Sequence, residues 1–463
     1  MPKVNWNDTI AARSTPPGVG GIAVIRVSGK DAVSLVTKFF RPTQKTDLDA
    51  APTHTIHHGC WVDEKGEVLD EVLVSLFRSP RSYTGEDVAE ISCHGGPHPT
   101  RRILEALVSA GARHAGPGEF TQRAFLKGKM DLTQAEAVLD LIRSQSDVSM
   151  AAALRQLQGR LSKKLQGLKE DLLKLCAHFE SSLDFPDEHL EHFSAEEFSK
   201  RMRAAEGEIQ KLVASFKRGL WMREGILTVI VGRPNVGKSS LLNALLEKDR
   251  ALVSEIPGTT RDTLEETIEI GGWALRLVDT AGLNPAPKDE LDRMGIERTQ
   301  ATLQEADLLL LLFDGSSPWT SEDAVLCSRL QGKNILPVIN KADLPRKLSV
   351  EKLNGSILGH PPCVISCATG TGLPELEKRI EEKILENGRV EESMVLTRLR
   401  HKQALEKGLE GLRRARKSFE EKLSAEFILV DLKAAVDSLR ELVGEVYSED
   451  LLDVIFQEFC IGK

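Results

Sequence analysis

Aromatic residues are scarce in this chain: 5% of its 463 positions are Phe, Trp or Tyr, and only two are tyrosine. Its cores must therefore be mostly aliphatic. The seven cysteines are odd in number, scattered, and without a CxxC pair. That argues against a disulfide framework or a zinc ribbon, and for a reducing compartment. Long apolar runs are also missing: the most continuous, Leu308–Phe313, is far too short to cross a bilayer. The opening MPKVNWNDTI holds no stretch that could serve as a signal peptide, so a cytoplasmic protein without membrane contact is expected. Nor is there a surplus of positive charge. The formal net charge of -8 argues against coating nucleic acid through global charge, although a local basic patch remains open. What remains, at 41% hydrophobic and 28% charged, is ordinary globular composition with room for two to four domains.

Three textures alternate along the chain. Residues 1–120 are rich in Gly and Pro and carry short β-like runs, clearest at Gly21–Val27 and Glu71–Phe77, which suggests an α+β domain. From near Leu132 the spacing changes. Leu154, Leu157, Leu161, Leu165, Leu168, Leu172 and Leu175 recur at steps of three and four, predicting one face of a long helix. A similar pattern returns after about residue 395 with Leu405, Leu409, Leu412, Leu432, Val436, Leu439 and Val443. Between these stretches, Gly225–Glu386 alternates apolar runs (Ile226–Val231, Leu275–Val278, Leu308–Phe313, Ile335–Ile339, Cys363–Ile365) with helix-like segments. That order predicts a mostly parallel sheet buried on both faces. The expected fold is multidomain, α/β plus α: an α/β domain inserted into a discontinuous helical domain behind an N-terminal α+β domain.

The inserted segment carries the chemistry. Gly232-Arg-Pro-Asn-Val-Gly237-Lys238-Ser239 fits the P-loop pattern and sits between a predicted strand and the helix Ser239–Leu246. Its backbone N–H groups, with Asn235, Val236, Gly237 and Ser240, would cradle phosphates; Lys238 would place its charge on the β- and γ-phosphates, and the Ser239 hydroxyl could ligate Mg²⁺. Asp279-Thr280-Ala281-Gly282 follows a strand, where a second Mg²⁺-linked carboxylate and a γ-phosphate-sensing amide belong. Asn340-Lys341-Ala-Asp343 follows the next-but-one apolar run, and its Asp can accept hydrogen bonds from a guanine ring. Ser366-Cys367-Ala368 follows the last run and would support the base from below. Between the P-loop and DTAG lies Gly258-Thr259-Thr260-Arg-Asp262, with Thr260 placed to close over Mg²⁺ and γ-phosphate. Four motifs in order, each at a strand end, predict a GTP-hydrolysing domain. The position after DTAG is Leu283, which cannot orient water, so another group must, with the acids of Asp289–Asp292 as candidates.

The GTTRD order of motifs resembles the Era/Der/TrmE group of translation-associated GTPases. With TPPGxGGIAVIR, TGEDVAE, HGGP, PGEFTQRAFLKGKMDLTQAEAVLDLI and the terminal FCIGK, the chain is similar to the MnmE (TrmE) family of tRNA-modification GTPases from about Asp8 to its last residue. The resemblance implies a tetrahydrofolate-binding and dimerising domain over residues 1–122, a helical domain in two parts (123–224 and 387–463), and a G domain over 225–386. It further implies an FAD-dependent partner (MnmG, also GidA) and a homodimer. Together they would modify C5 of the wobble uridine of certain tRNAs with a carboxymethylaminomethyl or aminomethyl group, its one-carbon unit coming from 5-formyl- or 5,10-methylene-tetrahydrofolate. By the family's motifs, Arg26, Glu90, Lys129 and Lys463 would contact the folate, and Cys460 would lie near it, either as a nucleophile or as an ordinary buried thiol. Potassium would be held by Asn235 and the segment Ser254–Thr259, including Ser254, Ile256 and Thr259. Where the family places a water-positioning acid, this chain has Asp292, with Glu290 as the alternative register.

Weaker signals point to bland roles. His54, His57, His58, His189 and His192 lack a completing ligand set and read as surface histidines. His94, beside Cys93, reads as structural as readily as catalytic. The cations between Arg398 and Lys422 read first as a solvated helix face and second as a tRNA- or partner-facing patch. A GTP-driven ribosome-assembly switch of the Era/Der type is the alternative function, and the absence of a KH-like segment after the G domain argues against it.

Overall fold

The computed structural model describes residues 6–184, 194–249, 265–279, 301–349, 361–386 and 394–463. They form two compact units: the described residues within 1–139, 156–194 and 410–463, and those within 140–155 and 195–409.

The first unit is built on β1 (Ile10–Arg13), β2 (Ile22–Ser28), β3 (Phe40–Pro42), β4 (Thr55–Val62), β5 (Val68–Phe77), β6 (Val88–His94) and β7 (Arg113–His114), in the order β3-β4-β5-β6-β2-β1-β7. Alternation along β2 explains the layering. Ala23, Ile25 and Val27 are buried, in one core with Val33, Val36 and Phe39 of the helix Ala32–Phe39 and Ile103 and Leu107 of the helix Pro97–Ser109. The intervening Val24 and Arg26 are half-buried on the opposite face. The antiparallel register of β2 with β6 puts Arg26 directly opposite Glu90.

The leucine repeat is not one helix. It is interrupted at Gly159, whose φ of 76° is left-handed, between the helices Asp147–Leu157 and Arg160–Asp184. Leu161, Leu165, Leu168, Leu172 and Leu175 are buried as the spacing predicts, but Leu154, before the break, is 44% exposed. The helix Arg160–Asp184 packs along Ala425–Val443, more than two hundred residues later, where Leu432, Val436 and Leu439 are buried. The apolar stripe on that second helix ends on buried Leu442, and Val443 is half-buried.

After the helix Glu449–Gln457 the chain's last residues return to the sheet. Pro117 bridges to Ile461, the Phe120 amide donates to the Lys463 carbonyl (3.2 Å), and Ser14 Oγ donates to the Gly462 carbonyl (3.0 Å). Gly462 has φ +97°, and a Cβ there would stand 2.3 Å from the Arg13 carbonyl oxygen, so no side chain fits.

Beneath this junction lies a charge network centred on buried Arg123. Arg123, 1% exposed, pairs with Asp8 (2.5 Å), Glu119 (3.0 Å) and Glu86 (3.2 Å), and Arg113 pairs with Asp8 (2.6 Å) and Glu119 (2.5 Å). Burial opposes ionisation of Asp8 and Glu119, but the two guanidiniums outweigh it and hold both carboxyls below their ordinary values.

The second unit contains β8 (Ile226–Gly232), β9 (Glu265–Ile270), β10 (Trp273–Asp279), β11 (Leu308–Asp314), β12 (Ile335–Asn340) and β13 (Cys363–Val364), ordered β13-β12-β11-β8-β10-β9. All pairings are parallel except β9 with β10. β8, β11 and β12 are buried at every residue, as expected of strands covered on both faces. The core reaches back to Trp221 and Met222 on the helix Phe216–Glu224, and Val148 and Ala152 pack against it.

A prediction follows from the Arg123 network. Asp8 and Glu119 have lowered folded pKa values, so their contribution is complete above the ordinary values of 3.8 and 4.5 and is lost as pH falls below them. Arg123→Ala, which takes the cation from Glu86 and leaves Asp8 and Glu119 with Arg113 alone, is expected to cost about 3 kcal/mol at neutral pH. Hydrogen exchange of the β1 and β2 amides measures it, and the variant's deficit should shrink as pH drops through this range.

Candidate functional site

The phosphate loop is shaped by the strand before it and the helix after it. β8 ends on Gly232, and the helix Lys238–Asp249 begins five residues after Arg233. Between them Asn235 (φ 64°) and Gly237 (φ 100°) take left-handed conformations, the backbone turn that lets successive N–H groups face one anion. Lys238 Nζ donates to the carbonyls of Gly232 (3.2 Å) and Arg233 (3.1 Å), so the cation is held over the loop. Arg233 in turn pairs through Nε with Asp323 at 2.7 Å. Asp323 is almost fully buried and also accepts from the backbone N–H (3.0 Å) and hydroxyl (2.9 Å) of Thr320, capping the helix Ser321–Arg329.

Three loops at the carboxyl ends of parallel strands meet at Asn340. Its Nδ2 donates to the Val236 carbonyl (3.0 Å), and its Oδ1 accepts from the Cys367 amide (3.1 Å). The P-loop, the 340–343 loop and the 366–368 loop are thereby joined through one buried carboxamide. Asp343 Oδ1 accepts from Ser366 Oγ (2.5 Å), and Lys341, itself at φ 64°, pairs with Asp314 at 2.7 Å. The 366–371 turn closes on itself, with Ser366 N donating to the Thr371 carbonyl (2.9 Å) and Gly370 N to the Ser366 carbonyl (2.9 Å).

These loops enclose a cleft of about 850 Å³. Of the residues singled out from sequence, Asn235, Gly237, Lys238, Ser239, Ser240, Asn340, Lys341, Asp343, Cys367 and Ala368 line it. Val236 lies beneath, buried, and Ser366 supports Asp343 from the side. Asp279 is placed by its backbone at the end of β10, in register with Ile230. Ser254, Ile256, Thr259, Thr260, Thr280, Ala281, Gly282, Glu290 and Asp292 lie outside the described residues. Two residues missed in the sequence act behind the cleft wall: Asp314 pairs with the cleft-lining Lys341, and Asp323 pairs with Arg233, whose carbonyl accepts from the cleft-lining Lys238.

In the first unit, three of the four proposed folate contacts converge. Arg26 Nε pairs with Glu90 (2.8 Å), Arg26 Nη1 donates to the Gly462 carbonyl (3.3 Å), and its guanidinium lies 5.0 Å from the Tyr83 ring centre and 5.6 Å from that of Phe120. Lys463 joins them: burial first, then the charge of Arg26, pushes its ammonium's pKa down, and Glu90 opposes the shift. Lys129 reaches instead to the Pro80 carbonyl (3.0 Å), in the segment that carries Tyr83. Cys460 is exposed, which removes the reading of an ordinary buried thiol.

Cys93 is buried, and burial above all pushes its thiol up to about 11, so it stays protonated. The neighbouring His94 is held by Asp70 at 2.5 Å. Among the described residues no cluster of His, Cys, Asp or Glu could hold a metal, and no helix is long and apolar enough to cross a membrane. The cations of the helix Leu399–Glu420 are largely matched: Lys402 with Glu406, Arg414 with Asp431, Arg416 with Glu420 and Lys417 with Glu421. That favours the solvated face.

A mostly parallel, doubly covered sheet with a P-loop joined to two further strand-end loops defines a P-loop nucleotide-binding domain, here combined with an α+β domain and long helices. The family model for the MnmE helical domain matches residues 132–460, and that for the GTP-binding protein TrmE N-terminus matches residues 9–129. The tRNA modification GTPase MnmE of Natranaerobius thermophilus is 45% identical over 458 residues, covering 98% of this chain and 99% of that protein. The protein of the same description from Moorella thermoacetica is 45% identical over 467 residues, covering 99% and 100%. A solved Era structure from Aquifex aeolicus covers 40% of this chain and 66% of its own, at 28% identity and a TM-score of 0.28. The chain belongs to the MnmE family of tRNA modification GTPases.

Gly237 gives a direct test of the cleft. A Cβ there would stand 2.3 Å from Asn340 Nδ2, at a φ that side chains avoid. Gly237→Ala is expected to cost about 1–3 kcal/mol of stability and to abolish measurable GDP binding, read by thermal unfolding and by fluorescent-GDP titration.

Proposed function

We propose that this chain couples GTP hydrolysis to a folate-dependent modification of the wobble uridine of tRNA. As a GTPase of its family it hydrolyses GTP. The finer reading divides the chain into a folate-binding, dimerising domain (1–122), a two-part helical domain (123–224, 387–463) and a G domain (225–386). It acts as a homodimer in the cytoplasm with the FAD-dependent protein MnmG, adding a carboxymethylaminomethyl or aminomethyl group to uridine C5. The observation that carries it is the return of the chain's end to the N-terminal sheet, where Arg26 meets the Gly462 carbonyl across 436 residues and Lys463 and Glu90 join the cluster.

That cluster suits the ligand. Arg26, Glu90 and Lys463 stand together, so they would meet one end of a tetrahydrofolate: Glu90 could accept from the pterin N–H groups while Arg26 and Lys463 donate to acceptor atoms beside them. The folate supplies the one-carbon unit; the chain's part is to bind it and hold its orientation. In the cleft, Ser239 with Thr260 would hold Mg²⁺, and Asn235 with Ser254, Ile256 and Thr259 would hold K⁺. Asn235 lines the cleft beside Lys238 and Ser239, so a cation there would sit against the phosphates. Asp292, or Glu290, would position the attacking water.

Titration of 5-formyl-tetrahydrofolate tests the first half. The wild type should bind, and Arg26→Ala should weaken binding by about tenfold or more, the loss of one charged hydrogen-bond pair. No binding by the wild type at saturating ligand would refute it. GTP hydrolysis in K⁺ and in Na⁺ tests the second. Faster turnover in K⁺ is expected, lost in Asp292→Ala and retained in Glu290→Ala. Equal rates in the two salts would refute the potassium assignment, and loss only in Glu290→Ala would move the water-positioning role there.

A further inference from the structure

Asp314 closes β11 and stands in register beside Asn340 of β12. It does not line the nucleotide cleft, yet four donors converge on its carboxylate. Oδ1 accepts from the backbone N–H (2.8 Å) and hydroxyl (2.6 Å) of Ser316; Oδ2 accepts from Ser317 Oγ (3.1 Å) and Lys341 Nζ (2.7 Å). Burial opposes its ionisation, but these partners hold its pKa down at about 2, so it is anionic at every working pH.

The turn it begins is locked onto the base-side loop. The Gly315 amide donates to the Asn340 carbonyl (2.9 Å), and a Cβ on Gly315 would stand 2.9 Å from that same oxygen. The Gly315 carbonyl accepts from the amides of Lys347 (2.9 Å) and Leu348 (3.2 Å). Lys341 follows Asn340 with a φ of 64°, a conformation that a side chain adopts at a cost and keeps only where its surroundings fix it. Asp314 is what its ammonium is fixed to.

We infer that Asp314 is a positioning residue for nucleotide binding: acting through Lys341, it holds the 340–343 loop in the turn that presents Asp343 to the base. The inference rests on the reading of that loop as the guanine site. Two carboxylates on neighbouring strand ends thus take different work. Asp343 faces the cleft, whereas Asp314 is spent on a cation and on the turn behind it.

Dissociation of fluorescent GDP from the full-length chain provides the test, using wild type, Asp314→Asn, Lys341→Met and the double variant. Asparagine can still accept the Ser316 bonds but loses the charge facing Lys341. Asp314→Asn is expected to release GDP about tenfold faster, the scale of one charge-assisted hydrogen bond. The loss should fall on KM for GTP rather than on kcat, and the double variant should be no worse than Lys341→Met alone. Wild-type dissociation in Asp314→Asn overturns the inference, and so do losses that add in the double variant. Should Asp314→Asn fail to fold, hydrogen exchange of the 340–343 amides in Lys341→Met decides. Faster exchange with faster GDP release supports the role, and unchanged exchange overturns it. Asp343→Asn separates the underlying reading: its amide matches the 2-oxo group of xanthine and should shift preference from GDP to XDP. If it does not, the guanine-site reading fails whatever the Asp314 variants do.

Discussion

The nucleotide cleft depends on the buried carboxamide of Asn340. Ligands in open α/β sheets bind beyond the carboxyl ends of the strands, where separate loops must be held together without a continuous backbone. Here β8, β12 and β13 each deliver one loop, and a single side chain spans all three by donating to Val236 and accepting from Cys367. Its closeness to the P-loop leaves no room for a Cβ at position 237, so the glycine is fixed by space as well as by dihedral angle. Removing the amide would strand a buried donor and a buried acceptor, each worth about 1–3 kcal/mol unsatisfied.

The N-terminal unit solves the same problem of assembly differently. Its charged cluster is gathered by the chain's end, and the tail can lie so close only because Gly462 has no side chain. Arg26 is oriented from several directions: by Glu90, by a carbonyl of the tail, and by two aromatic rings. Below it lies the Arg123 network, charged and buried at Arg123 and Glu119 but open to solvent at Arg113. Such a network adds little net stability over apolar packing, because desolvation offsets the attraction. Its effect is to tie the segment before β1, the 84–86 turn and the helix Glu119–Leu126 into one fixed arrangement under the site.

Much of this was legible because it is local in sequence. The P-loop, NKAD and SCA strings are contiguous, and strands buried on both faces leave unbroken apolar runs. β9, EETIEI, alternates charge and apolar character as a half-buried edge strand does, a weaker signal than the runs beside it. The leucine repeat misled at Leu154 because spacing counts residues and takes no account of the left-handed dihedral angle at Gly159 that ends the helix. Asp314 and Asp323 were illegible for a different reason. Each is a single acid whose meaning comes from a partner, Lys341 or Arg233, that only the sheet order brings near. The Arg26–Glu90 pair was half legible: both residues stood out by family resemblance, but their ion pair is a product of strand register.

The same distinction explains how the α/β domain is attached. Asp140 pairs with Arg223 (3.2 Å), just before β8, and with Arg398 (2.6 Å), on the segment that follows the domain. One carboxylate therefore holds both chain connections. The packing around them is equally close: the Leu396 amide donates to Ser215 Oγ (3.1 Å), and a Cβ at Gly219 would stand 2.0 Å from the Leu396 carbonyl oxygen. On the far side of the sheet's edge, the Val148 amide donates to the carbonyl of Gly272 in the β9–β10 turn (3.1 Å). An insertion held only by two flexible strands of chain could change state without consequence for its host. Here Trp221 and Met222, one turn from the entry point, are part of the sheet's own core, so a shift of β8 or β10 must be accommodated by the helix that carries Arg223.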